Sequence, residues 1–348
     1  MIAAAPLPQS ITSVDHLEDL LSTPTDAAVD ALRQVPGDIL VLGVAGKMGP
    51  TLARMAKRAS DAAGTSRRVI GVARFSSPDQ AAHLEAHGIE TLRCDLLDPA
   101  AVAALPDAPN VVFMAGRKFG SSGHESLTWA MNVHVPALVA QRYAASRIVA
   151  FSTGNVYGLT PVGRGGSVEG DLPQPVGEYA MSCLGRERIF EHFSRTQGTP
   201  TALLRLNYAT ELRYGVLVDL AQQIRRGEPV DVTMGHVNVI WQADANAMAL
   251  AALAHAASPP FVVNLAGPEE LSVRETCEAL ARAMNVPLRI TGTEARDALL
   301  SNGTLGRTRL GPPRVDASRL IAWTAAWVQQ GGDTLGKPTH FESRDGGF

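Results

Sequence analysis

The chain has 348 residues, 45% of them hydrophobic, with 31 basic and 34 acidic side chains and a formal net charge of -3. That composition can bury a full core in two lobes, and its near balance of charge offers no attraction for nucleic acid or an anionic membrane. No apolar run reaches the length of a membrane span, "MIAAAPLPQSITS" lacks the features of a secretory signal, and Cys94, Cys183 and Cys277 show no metal-ligand spacing, so a cytoplasmic protein without a metal is expected.

In chain order, residues 13–34 read as one or two short helices leaning on the main domain. Then "DILVLG" (38–43), "RRVIGVA" (67–73), "IETLRC" (89–94), "NVVFMAG" (110–116), "RIVAFS" (147–152) and "TALLRLN" (201–207) form short, almost wholly apolar runs. Strands of that kind are buried on both faces, as in a parallel sheet. Helices alternate with them. Ser77 before Pro78 and Asp98 before Pro99 each read as a cap followed by a proline whose missing N–H costs nothing. After residue 208 come an amphipathic helix (214–227), a strand running onward (237–257), another buried strand "FVVNLAG" (261–267) and the helix 272–286. The polar "GKPTHFESRDGGF" (336–348) reads as a surface tail or a lid. The alternation predicts an α/β fold: a doubly wound parallel sheet (Rossmann) with a smaller C-terminal α/β substrate lobe.

The stretch "DILVLGVAGKMGPTLARMA" leaves a strand and opens a helix, with glycines at Gly43, Gly46 and Gly49. A sharp turn, close approach to a pyrophosphate and tight packing of helix on sheet each call for a residue without a side chain. Helix N–H groups then face the phosphates, with Lys47 and Met48 inside the loop. A carboxylate that would grip a ribose 2′-hydroxyl is missing from the end of the second strand, where Arg74 stands instead. Arg74 and Lys47 suit a 2′-phosphate, which predicts NADP over NAD, with NAD as the alternative. Asp95, or the backbone amide of Leu96 beside it, is placed to hold the adenine. The expected division is a helical extension at 1–36, a dinucleotide-binding domain at 37–207 to which 236–267 return, and a substrate lobe and tail at 208–235 and 268–348.

Over residues 37–290 the sequence resembles the extended short-chain dehydrogenase/reductases, the NAD-dependent epimerase/dehydratase family. The resemblance rests on "GVAGKMG", Asp95, "FMAG" with Ala115 and Gly116, Asn132 in "MNVHVPAL", and above all "FSTGNVYG" followed by "EYAMS". It implies that Thr153 orients a substrate hydroxyl or carbonyl and that Tyr179 exchanges the proton. It also implies a small-molecule substrate and a homodimer through helices at 124–145 and 178–196. A phenol is a poor base at neutral pH, and the family's lysine one turn later stabilises its anion. Here that position is Cys183, which carries no positive charge.

Stand-ins for the lysine are Lys118 and Arg117, on the loop leaving the fourth strand, and Arg186, one turn further along the Tyr179 helix. Otherwise Tyr179 serves as an acid only, in the reducing direction, or the site is inactive. Asn207 is assigned to the cofactor side, with Arg205 a further candidate for polar recognition. The stretch "TMGHVNVIWQADANA" offers His236, Asn238 and a single Asp244 but no arginine for a nucleotide diphosphate. The reading is therefore an NAD(P)-dependent oxidoreductase or epimerase acting on a small carbohydrate-like compound. The competing class is an NADP(H)-binding sensor or regulatory protein without turnover.

Overall fold

Seven short strands assemble into one parallel sheet in the computed structural model, which describes residues 6–118 and 123–347. They are β1 (Ile39–Leu42), β2 (Val69–Ala73), β3 (Glu90–Arg93), β4 (Asn110–Phe113), β5 (Arg147–Thr153), β6 (Thr201–Leu206) and β7 (Phe261–Leu265). The spatial order is β7-β6-β5-β4-β1-β2-β3, so the winding reverses between β1 and β4. In register, Leu40 stands between Ile70 and Val111, and Val111 between Leu40 and Ile148.

Both faces of the sheet are covered. Ile39 and Val41 belong to the apolar cluster on one side, Leu40 and Leu42 to that on the other, and all four are fully buried. Alternating side chains with two buried faces explain why the sequence of β1 is apolar at every position. β3 departs from the expectation of burial on both faces. It is the last strand of the sheet, and Glu90 and Arg93 at its ends are exposed.

Helix starts follow the cap residues. Ser13, Thr25, Asp98 and Ser272 accept first-turn backbone N–H groups. Ser77 precedes the helix Pro78–Glu85 but makes no such bond. Helix Asp26–Gln34 packs on Gly49–Ala62 and on Gln242–Ala251, which joins the N-terminal extension to the main core. Beyond β6, two-residue pairings (Ala209–Thr210 with Ile240–Trp241, Val230–Asp231 with Ile290–Thr291, His236–Val237 with Leu271–Ser272) frame the smaller lobe. The C-terminal segment folds back onto the molecule. Thr339 donates its N–H and its hydroxyl to Asp219 at 2.7 and 2.6 Å, and Phe341 is buried.

The helix Gly177–Gln197 is fixed to the sheet by a buried polar knot. The Arg205 guanidinium of β6 donates to the Glu187 carboxylate at 2.8 Å, and the Ser152 hydroxyl donates to the same carboxylate at 2.6 Å. Arg205 also donates to the Tyr157 hydroxyl at 2.7 Å, which in turn donates to Asn264 of β7 at 2.9 Å. Glu187 and Arg205 are almost wholly buried. Deleting one partner strands the other charge. Glu187→Ala is therefore expected to lower the free energy of unfolding by about 3–5 kcal/mol, read from denaturant titration; a loss below about 1 kcal/mol would mean that the pair is not buried in solution.

Candidate active site

A cavity of about 390 Å³ opens at the C-terminal ends of β1, β4, β5 and β6, across the point where the strand order reverses. Open α/β sheets bind ligands at such a switch point. The three loop glycines contribute differently. Gly43 has φ +88°, and a Cβ there would sit 2.7 Å from the Ala115 amide nitrogen. At Gly49 a Cβ would lie 2.2 Å from the Val44 carbonyl oxygen. Gly46 is outside the left-handed region and much less crowded: its Cβ would press only on the Gly43 oxygen, at 3.3 Å. The protein itself thus requires Gly43 and Gly49, while the open side of Gly46 faces the cavity. The helix Gly49–Ala62 starts there with no side-chain cap, which leaves its first N–H groups to whatever occupies the loop.

Thr153 ends β5 and Tyr179 lies in the first turn of Gly177–Gln197, and both line this cavity. The Tyr179 hydroxyl is hydrogen-bonded to the Thr153 side chain and to the Cys183 thiol. Burial pushes the phenol well above its ordinary pKa, opposed by the nearby Arg186 guanidinium and by Thr153. Cys183 is buried against Val156 and Tyr157 and does not reach the cavity wall. Burial also raises its pKa, so it stays a neutral thiol beside the phenol.

Positive charge reaches the site from Arg186, further along the same helix, and from the loops after β4 and β1. Arg186 donates to the Phe151 carbonyl and to Asn132 Oδ1, both at 2.7 Å. Its guanidinium passes where Gly116 has no side chain; a Cβ there would lie 2.5 Å from it. Asn132 completes the brace, accepting from the Arg117 N–H and donating to the Arg117 carbonyl and the Ser182 hydroxyl, each at 2.9 Å. Lys118 stands 5.8 Å from the centre of the Tyr179 ring and donates to the Thr339 carbonyl at 3.2 Å. Burial lowers its pKa to about 8, which leaves it charged at neutral pH. Lys47 reaches across the cavity to lie 3.2 Å over the Tyr214 ring.

The remaining sequence candidates lie outside the cavity wall. Arg74 is exposed just past β2, and Asp95 is exposed with its carboxylate accepting from the Leu97 N–H. Leu96 and Ala115 are buried. Asn207 donates to Asn238 at 2.6 Å, Asn238 donates to the Ser301 carbonyl, and Arg205 is held in the knot with Glu187. Asp244 is buried and paired with Arg314, and His236 sits in a short strand pairing. Of these, Arg205, Asn238 and Asp244 have their polar groups engaged inside the protein.

Sequence reading missed Tyr208, Tyr214, Asn155, Gln242, Lys337 and Thr339, all of which line the cavity. Tyr208 lies two residues past the end of β6, a position that a search of strand ends would have found. It sits at φ +43°, a conformation costing a non-glycine residue roughly 1–3 kcal/mol. Lys337 and Thr339 arrive from the C-terminal segment, and no local pattern marks them. That segment is a strap at the cavity edge.

Comparison with known proteins places this geometry. The sequence model of the NAD dependent epimerase/dehydratase family matches residues 39–266. The solved structure of MoeE5 with UDP-glucose and NAD aligns with a TM-score of 0.68 at 21% identity, over 85% of this chain and 99% of that one. UDP-glucuronic acid 4-epimerase from Bacillus cereus, solved with UDP-glucuronic acid and NAD, gives 0.70 at 19% identity over 84% and 99%. An epimerase from Methanothermobacter thermautotrophicus gives 0.71 at 19% over 88% and 96%. At these identities the likeness is one of fold. Among curated proteins no sequence match is found.

The glycines offer a direct check on the loop. Gly43→Ala should cost at least about 2 kcal/mol, because it is both strained and crowded, whereas Gly46→Ala should stay within about 1 kcal/mol. Thermal melting of the two variants decides it; equal losses would contradict the described loop.

Proposed function

The chain belongs to the NAD dependent epimerase/dehydratase family, and from that premise we propose that it is an NAD(P)-dependent oxidoreductase or epimerase acting on a hydroxyl or carbonyl of a carbohydrate-like compound. The observation that carries this reading is the hydrogen-bonded pair Thr153–Tyr179 in the same cavity as the glycine loop. The open face of Gly46 and the uncapped helix after it fit a pyrophosphate, to be held by the loop 43–49. The solved relatives named above hold NAD. When bound, a nicotinamide dinucleotide supplies the acceptor or donor of a hydride.

The chain's own residues handle the oxygen and its proton. Thr153 and Tyr179 grip the reacting oxygen, and the Tyr179 hydroxyl gives up or takes the proton. In place of the family's helix lysine stand two cations, Arg186 further along the same helix and Lys118 from the loop after β4. Arg186 holds a fixed charge behind the phenol, and Lys118 stands at its ring. At about 6 Å and an effective dielectric near 20, one such charge is worth roughly 3 kcal/mol, about two pKa units. The high pKa of Tyr179 keeps its proton in place at neutral pH, which favours reduction of a carbonyl. Binding without turnover has the cysteine in its favour, but the two cations weigh against it.

Several finer assignments belong to this reading. Residues 37–207 with 236–267 hold the dinucleotide, and 208–235 with 268–348 form the substrate side, which supplies Tyr208, Tyr214, Lys337 and Thr339 to the cavity. The lack of an arginine in 233–247 favours a compact carbohydrate over the UDP-sugars bound in the solved relatives. The protein is a cytoplasmic homodimer in this reading, with Leu127, Trp129 and Met181 exposing apolar surface on the pairing helices. Among the described residues no helix is long and apolar enough to cross a membrane. Arg74, exposed beyond β2 where no carboxylate stands, is the basis for preferring NADP(H).

Two measurements test the proposal. Tyr179→Phe should abolish most turnover while leaving dinucleotide affinity within about twofold, and Lys118→Met should move the alkaline-activated limb of the oxidative pH–rate profile upward by about one to two units, because removing a cation raises the phenol pKa. Full activity in Tyr179→Phe would end the proton-transfer role. For the cofactor, NADP(H) should bind more tightly than NAD(H), with Arg74→Ala narrowing the gap by about tenfold, the worth of one charge-assisted contact; titration showing NAD(H) equal or tighter in the wild type would reverse the preference.

A further inference from the structure

The chain contains four lysines, and three of them, Lys47, Lys118 and Lys337, line the one cavity. Lys57 alone lies elsewhere, paired with Asp61 on its own helix at 2.5 Å. Arg117 and Arg186 add two more cations to the wall, and among the described residues no aspartate or glutamate lines it. Asp219 and Glu211 act on Lys47, and Asp219 and Glu342 on Lys118, but from outside the wall, where Asp219 is hydrogen-bonded by Thr339 and Glu211 by Arg213 at 3.1 Å. A dinucleotide pyrophosphate at the glycine loop balances only part of this charge.

The lysines divide by direction. Lys118 stands at the Tyr179 ring and Arg186 behind its phenol, on the reacting side. Lys47 starts in the glycine loop, and its ammonium lies over Tyr214, at the start of the smaller lobe. Lys337 comes from the strap on the same side and is exposed. Burial first, and then repulsion from Lys118 and Lys337, opposed by Asp219 and Glu211, hold the Lys47 amine at about 7, and an anion between Lys47 and Lys337 would relieve that repulsion.

We propose that Lys47 and Lys337 form an anion-binding pair in the substrate half of the cavity, so that the substrate carries a carboxylate or phosphate besides its reacting hydroxyl or carbonyl. This deepens the carbohydrate reading and rests on it. The Tyr208 and Tyr214 rings supply apolar faces for the carbon skeleton between the anion and the Thr153–Tyr179 pair. Charge opposite charge in a partly desolvated site gives selection against neutral sugars of the same size.

The test is calorimetric titration of the NADP(H)-loaded protein with D-glucose, D-gluconate and D-glucose 6-phosphate, for the wild type, Lys337→Gln and Lys47→Gln. At least one anion should bind about tenfold or more tightly than glucose, the expected worth of a charge-assisted contact, and Lys337→Gln should remove most of that preference. NADP(H) affinity in Lys337→Gln should stay within about twofold, which separates substrate anion binding from pyrophosphate binding. Preference for gluconate alone assigns a carboxylate, and for the 6-phosphate alone a phosphate. Glucose binding as tightly as both anions, no measurable binding of either anion, or a preference unchanged in both lysine variants overturns the pair. Lys337 is exposed, so its variant should melt as the wild type does. A Tyr179→Phe protein that keeps turnover would sink the reaction assigned above while leaving this binding preference intact, so the two failures are distinguishable.

Discussion

The buried contact between Glu187 and Arg205 is the constraint on which the site depends. Burying two charges costs several kcal/mol each unless every polar atom finds a partner. Ser152, Tyr157 and Asn264 provide those partners from β5, the loop after it and β7. The pair therefore fixes one helix against three neighbouring strands at once. Glu187 is eight residues along the helix from Tyr179, and Ser152 immediately precedes Thr153. Holding that carboxylate on Ser152 and Arg205 sets the axial position of the helix, and with it the approach of the phenol to the threonine.

A second brace starts one residue away, about a quarter-turn around the helix. Arg186 spans from the helix to the end of β5 and to Asn132, which grips the loop after β4 through Arg117. Gly116 exists as glycine because this guanidinium occupies the place of its side chain. The same cation faces the Tyr179 hydroxyl, so one side chain both positions the loop and biases the phenol. An arginine suits both tasks, since it stays charged when buried and donates in several directions.

Much of this was legible in the sequence. All six early strands and the seventh at 261–265 fall in the apolar runs, because two buried faces demand apolar residues at every position. The edge strand β3 shows the limit of that rule: Leu92 packs on the core but Glu90 and Arg93 are exposed, because exposure depends on strand order, which local composition does not encode. Thr153, Tyr179 and the glycine loop line one cavity, and the sequence could mark them because they are tied to strand ends and helix starts. Asn207 and Arg205 also lie at or near a strand end, yet their side chains turn into buried pairs with Asn238 and Glu187. Lys337 and Thr339 were invisible to local reading. They reach the site by a return of the chain across more than a hundred residues from Asp219.

The cysteine of "EYAMSC" now has a physical place. Its small side chain packs against Val156 and Tyr157, at the edge of the knot that Tyr157 shares with Arg205. A lysine there would have to thread a long stem through that packing to reach the cavity, at a cost in both burial and charge. Lys118 stands 5.8 Å from the Tyr179 ring without that conflict, and it is held differently. A lysine on the helix would be placed by the helix alone. Lys118 instead sits on a loop and donates to the Thr339 carbonyl of the strap, while Thr339 is itself clamped to Asp219. The cation at the Tyr179 ring is thereby joined to the segment that brings Lys337 to the far side of the cavity.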